Sequence, residues 1–320
     1  MNMKSDYQTL TEAVGILRLD SRELVEISGS DSLSFLHKMT TNDFESLAIG
    51  DGCEAFATNA QGKIQGFFAA LKRADSVWLE MAVGQADSLV AHLDMYVIRE
   101  DVKFKKLEAL GAIAIVGPAL NELAAAAGWE VPTSAWSHLD LDIEGESVVV
   151  VQAPWLGSQA IEVFGSRESL ESIERKLAEL APVCDPSLAE VLRIENGFPD
   201  FGKDISTNNL PQELARDDIA ISFTKGCYIG QETVARIDSL GRVNKLLVQL
   251  RFPAGDAPAI GTELLREQKV VGQITSVAMS PGLAAPIALG IVRRQEAAVG
   301  TELESSAGVV SVVDLAISTS

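Results

Sequence analysis

Short apolar runs alternate with polar turns along most of this chain, and the spacing changes character once, near residue 244. Residues 24–29, "LVEISG", alternate apolar and polar positions as a half-buried strand does. "SDSLSFLHKMTTNDFESL" then opens with the cap-type residues Ser30 and Asp31, and Leu33, Phe35, Leu36 and Met39 mark the apolar face of a helix. "NAQGKIQGFFAALKRADSVWLEMA" predicts a hairpin of two strands joined by the polar turn Lys72–Ser76. "ADSLVAHLDMYVI" sets Leu89, Leu93, Tyr96 and Val97 at helical spacing, with a strand near "DVKFKKL".

Strands and helices continue to alternate beyond that point. "GAIAIVG", "ESVVVVQAP" and "AIEVFG" predict strands, "ALNELAAAAG" a helix with a glycine stop, and "SRESLESIERKLAELA" an amphipathic helix rich in i,i+4 charge pairs. Open sheets covered by helices follow from this pattern, an α+β arrangement rather than a doubly wound one. From residue 244 the runs "NKLLVQLRF", "GTELLRE", "KVVGQITSVAMS", "PIALGIVRR" and "GVVSVVDLAIS" are short, β-rich and divided by Gly, Pro and charged turns, which predicts a small antiparallel barrel or sandwich.

Composition narrows the classes. A chain of 320 residues suits two or three domains. The first residues carry no basic start, apolar run and cleavage site, and no apolar stretch reaches the ~20 residues of a membrane span. The expectation is a cytoplasmic protein with no membrane partner. A net charge of −19 opposes direct nucleic-acid binding, which relies on basic patches. The three cysteines form no CxxC and the three histidines no HExxH, so no metal site is expected from this chain alone. No GxGxxG or GxxxxGK[ST] follows any strand.

Two clusters between Arg193 and Arg236 carry candidate chemistry. In "RIENGFPDFGKDI", with "LPQE" soon after, Arg193 and Glu195 end a helix that Gly197 and Pro199 interrupt. They read either as a plain surface salt bridge or as a carboxylate accepting paired hydrogen bonds from a flat heterocycle such as a pterin. In "TKGCYIGQET", "AISF" predicts a strand before it, Gly226 and Gly230 supply turns, and "QETVAR" begins a helix. Cys227 then lies just before a helix N-terminus and close to Lys225, two influences that favour a thiolate. The alternative is a structural cysteine in a turn too tight for larger residues. No histidine nearby in sequence offers a general base. Lys225 and Arg236 stand either as ligands of an anionic group or as props of the turn.

"KGCYIGQE" resembles the KGCYxGQE motif of the YgfZ-type folate-binding proteins, relatives of the glycine-cleavage aminomethyltransferase that support iron–sulfur enzymes and tRNA modification. "VEISGSDSLSFLHKMTTND", "RIENGFPDFGKDI" with "LPQE", and "GQITSVAMSPGLAAPIALGIV" resemble segments shared across that superfamily. The resemblance implies two α+β domains around a central channel and a C-terminal β-barrel, with domains at 1–50 plus 115–243, 51–114, and 244–320. It implies tetrahydrofolate, or a folate derivative, as cofactor, Glu195 as the pterin acceptor with Arg193, Lys225 and Arg236 as further cofactor contacts, and Cys227 as the functional thiol. Partners would be iron–sulfur client enzymes or cluster-assembly proteins, with any effect on tRNA passing through them. One departure matters: where the transferases carry a catalytic Asp-Asp, this chain has Gln65 and Gly66, and no acid lies anywhere in 55–74. That disfavours aminomethyl transfer, which needs a carboxylate there. A one-carbon transferase and a non-catalytic folate-binding scaffold remain the alternatives.

Overall fold

The computed structural model describes residues 3–143, 145–241 and 243–315. Residues 316–320, which the barrel domain was expected to include, lie outside them. The N-terminal half contains α1 (Met3–Glu12), β1 (Gly15–Leu19), β2 (Arg22–Ser28), α2 (Ser32–Met39), β3 (Gly52–Thr58), β4 (Ile64–Lys72), β5 (Ser76–Ala82), α3 (Ala86–Asp94), β6 (Lys103–Lys106) and β7 (Leu110–Val116). It continues through α4 (Leu120–Ala127), β8 (His138–Ile143), β9 (Glu146–Gln152), β10 (Ala160–Ser166), α5 (Arg167–Leu177), α6 (Leu188–Glu195), α7 (Asp217–Ala220) and α8 (Gln231–Leu240). The last part holds β11 (Lys245–Arg251), β12 (Glu263–Arg266), β13 (Lys269–Ser280), β14 (Ala285–Arg293), β15 (Glu302–Ser305) and β16 (Gly308–Val313).

These strands make two five-stranded antiparallel sheets and a closed six-stranded barrel. One sheet runs β1-β7-β10-β9-β8 and the other β3-β4-β5-β2-β6, while the barrel order is β11-β14-β13-β12-β15-β16. The fold is therefore α+β with a C-terminal barrel, and pairing of Gln249 with Val313 closes the barrel. Closure removes the free edges that a sandwich of such short strands would leave.

The passage between the two sheets differs from the expected one near residue 50. β2 pairs along its length with β5 and its later part with β6, so the chain crosses near residue 20 and returns near 107. The apolar face of α2 decides this: Phe35 and Leu36 pack with Val25, Ile27, Phe68 and Leu79 of the second sheet. β1, β3, β8 and β15 went unread, because short or mixed runs such as "ELES" give little period-2 signal. Where the two sheets and the barrel meet, Phe56, Phe67, Trp136, Trp155 and Phe198 share one core with Leu247 and Ile287.

Charged groups also meet inside. Arg22 pairs with Glu80 and, at 2.9 Å, with Asp200, and its guanidinium lies 4.5 Å from the Trp155 ring. Arg216 holds both oxygens of buried Glu54, which also accepts the Trp136 indole N–H at 3.1 Å. Glu162 is fully buried near the Trp155 indole, and burial, with Glu80 close by, pushes its carboxyl well above the usual range.

Candidate functional site

Cys227 lies in the irregular segment between α7 and α8 and is exposed, whereas Cys53 is half-buried and Cys184 buried. The strand expected over "AISF" is absent: Ala220 ends α7 and the next residues run irregularly. Its carbonyls find side chains instead of a neighbouring strand. Thr41 Oγ1 donates to the Ala220 carbonyl and Asn42 Nδ2 to that of Ile219.

The cysteine loop is seated on the β3–β4 hairpin. The Ile229 N–H donates to the Lys38 carbonyl at 3.1 Å, and the Thr58 hydroxyl donates to the Ile229 carbonyl. Gly230 precedes α8 with φ +83°, and a Cβ there would lie 2.6 Å from the Asn59 carbonyl oxygen and 2.9 Å from the Gly62 Cα. Only glycine meets both conditions. Gly226 has no such need, since it is not among the positive-φ glycines and its Cβ would stand 3.8 Å from His37 Nε2.

Lys225 is turned toward the end of α2. Its ammonium donates to the carbonyls of His37, Thr40 and Asn42 at the end of α2, which uses all three of its N–H groups. Burial draws it down to about 8, against the attraction of Asp43. Of the two roles left open for Lys225, propping the turn is the one its bonds perform. A histidine does reach the loop through the fold: His37 sits beside Gly226, with Nδ1 3.2 Å from the Asp43 carboxylate. Sequence distance hid it, because 190 positions separate His37 from Cys227.

Gln65 is the unpaired residue of a bulge, since Ala57 pairs with Gly66 and Thr58 with Ile64. Such bulges re-aim side chains, but the Gln65 amide turns back on its own backbone, donating to the Ile64 carbonyl at 2.8 Å. A side chain at Gly66 would displace a packed neighbour: its Cβ would come within 2.7 Å of Leu89 Cδ1 on α3, and Leu89 is fully buried.

Glu195, the last residue of α6, faces a cavity of about 590 Å³, lined by Tyr7, Gln249, Arg251, Leu283 and Ile287 among others. Its carboxylate accepts from the Tyr7 hydroxyl at 3.0 and 3.2 Å and from the Ser280 hydroxyl at 2.6 Å. Gln249 donates to the Ile194 and Glu195 carbonyls and fixes the helix end. Burial raises the Glu195 pKa against the pull of those hydroxyls, and burial with the adjacent carboxylate pushes Tyr7 up to about 12. Tyr7 and Ser280 were missed. Nothing local in "MNMKSDYQTL" marks a tyrosine that meets a residue 188 positions away.

Arg193, expected at the cofactor, is buried and fully committed. Its five N–H groups go to Glu190, Asp204, Ser276 and the Phe198 carbonyl, leaving none for a ligand. It is no surface salt bridge and does not line the Glu195 cavity, but is the clamp that ties α6 to β13. Arg236 is exposed on α8, and its guanidinium makes no bond to the described residues. Cys227 does not line the Glu195 cavity. Among the described residues, no group of three or more His, Cys, Asp or Glu is placed to hold a metal ion, and no helix is long and apolar enough to cross a membrane.

Comparison with known proteins gives the architecture a lineage. The GCVT N-terminal domain matches residues 1–225, and the glycine cleavage T-protein C-terminal barrel domain matches residues 245–312. An aminomethyltransferase of Nostoc sp. is 25% identical over 93% of this chain and 82% of its own length. A tRNA-modifying protein YgfZ of Colwellia psychrerythraea is 26% identical over 81% of this chain and 79% of its own. The crystal structure of the glycine cleavage system aminomethyltransferase T from Bartonella henselae superposes with a TM-score of 0.87 at 18% identity, covering 99% of this chain and 90% of that one. With both domains matched in order across nearly its whole length, the chain belongs to the glycine-cleavage T-protein, or aminomethyltransferase, superfamily.

Proposed function

We propose that this protein is a YgfZ-type, tetrahydrofolate-binding accessory factor for assembly or repair of iron–sulfur clusters in client enzymes, tRNA-modifying enzymes among them, with Cys227 as its working thiol. The observation that carries the reading is the exposed Cys227 on a loop locked to the β3–β4 hairpin by Gly230, Gly62 and Thr58. On that hairpin the acid pair of the transferases is missing, and a side chain at Gly66 would have to displace Leu89. The thiol stands where the carboxylate chemistry does not.

Glu195 suits the pterin edge. Its carboxylate already accepts two hydroxyl donors in a half-buried setting, and a ring with adjacent N–H and NH₂ groups presents a matching pair. Bound tetrahydrofolate would supply a carrier for one-carbon units, while Glu195 orients the ring and Gln249 holds the helix end beneath it. One exposed cysteine does not complete a cluster site, which takes several thiolates, so cluster ligation needs thiols of a client or an assembly protein.

The deciding experiment is complementation of a strain lacking the gene, read as iron–sulfur enzyme activities and thiolated tRNA. Wild type restores both and Cys227→Ala restores neither; full rescue by Cys227→Ala would remove the thiol from the reading. Calorimetric titration with tetrahydrofolate tests the pocket, with Glu195→Gln binding about tenfold or more weakly. Unchanged affinity would take Glu195 out of the site. Release of formaldehyde or methylene-folate from an aminomethyl donor would restore the transferase reading.

A further inference from the structure

A second cavity, of about 890 Å³, lies between the 201–209 loop and the barrel wall, and shares no lining residue with the Glu195 cavity. Lys245 and Arg293 line it from β11 and β14, where they are direct cross-strand partners. Like charges directly opposite one another destabilise a sheet. The chain has 45 acidic residues against 26 basic ones, so carboxylates to neutralise this pair are abundant. None is used. The acids on the cavity wall are turned elsewhere: Asp204 to Arg193, Thr275 and Ser276, and Glu213 to Asn209 and the Leu210 N–H. Lys203 is occupied by Glu190 and Asp200. Lys63, across the cavity, donates only to the Asn208 carbonyl.

Three cations thus face one concave space with no carboxylate partner among the described residues, in a molecule of net charge −19. We propose that this cavity is a binding site for a small, multiply charged oxyanion bearing phosphate or carboxylate groups, with Lys245 and Arg293 as its direct ligands and Lys63 facing them. An anion between the two side chains turns their mutual repulsion into two charge-assisted contacts, and the guanidinium fork of Arg293 fits either oxyanion in a bidentate way. Asn244, Gln273 and Thr275 add neutral polar groups to the wall. The volume lies within the range of small-molecule sites, enough for a nucleotide-sized ligand.

Calorimetric titration of the full chain at low ionic strength tests this, with pyrophosphate and citrate as probes. Wild type binds at least one of them; pyrophosphate alone assigns the site to phosphate compounds, and citrate alone to polycarboxylates. The double variant Lys245→Gln/Arg293→Gln binds about tenfold or more weakly, whereas Lys245→Arg retains binding. The double variant unfolds no earlier than wild type without ligand, because it loses a repulsion, and is no longer stabilised by the probe. Glu195→Gln binds the probe as wild type does. No binding of either probe by wild type, equal binding by the double variant, or loss of binding in Glu195→Gln would each overturn the proposal.

Discussion

At the scale of single residues, the same side-chain type does different work according to where the fold puts it. Of the three thiols, burial pushes Cys53 up to about 12 and Cys184 up to about 11, while Cys227 is exposed. Brief alkylation of the native protein at pH 8 should therefore modify Cys227 alone, with the other two reacting after unfolding, as read by intact mass. Modification of Cys53 first would contradict the burial pattern. Asp217 gives a pH-dependent case. Desolvation, then Asp218 and Asp238, raise it to about 6, and its Oδ1 is buried without a partner among the described residues. A carboxyl raised on folding binds its proton more tightly in the native state, so its cost appears as pH climbs from about 4 to 6 and is complete above that. Asp217→Asn should then stabilise the protein by about 1–2 kcal/mol at pH 7, after allowance for partial exposure, and by nothing below pH ~4. Thermal melts across that range check it. At this scale the sequence was partly legible. It singled out Cys227, Glu195 and Arg193 from motif context, yet the commitment of every Arg193 donor depends on Asp204 and Ser276, whose placement only the fold decides.

At the scale of elements, the cysteine loop, the β3–β4 hairpin and α1 are the pieces that shape the candidate site. Gly230→Ala forces a Cβ into the Asn59 carbonyl at an unfavourable φ, which should cost about 2–3 kcal/mol and detach the loop. Limited proteolysis between 222 and 232 reads that detachment, and a loop as protected as in wild type would refute the seating. Gly66→Asp would drive a carboxylate against buried Leu89, so it should lower stability by about 3 kcal/mol or more without adding transferase activity. α1 enters through Tyr7, whose hydroxyl occupies Glu195. If the carboxylate receives a pterin, the hydroxyl competes with it, and Tyr7→Phe should tighten tetrahydrofolate binding in calorimetry. Helices and long strands were readable from periodicity because their apolar faces repeat, as in α2 and β13. "AISF" was not, because a run of four residues carries no record of whether a strand lies beside it or, as here, Thr41 and Asn42 satisfy its neighbourhood.

At the scale of the whole molecule, the superfamily architecture was legible through motif resemblance, while the crossing point near residue 20 was not. That crossing depends on β2 pairing with β5, a choice made by long-range packing of α2. The units are joined by charge as well as by apolar contact. Arg22 of β2 grips Asp200 after α6, and Arg193 with Asp204 grips Ser276 and Thr275 of the barrel. Arg22→Met leaves Glu80 and Glu162 in the interior without their cation, while Asp200 keeps Arg193 and Lys203, and should cost about 3–5 kcal/mol in denaturant unfolding. The same linkage limits how the protein can be taken apart. A barrel expressed from residue 244 onward would present Thr275 and Ser276 to water, and the remaining body would keep Arg193 and Asp204 without their hydroxyl partners. Cutting the chain between the two is thus a chemical operation on both halves, and the role proposed for Cys227 has to be studied in the intact molecule.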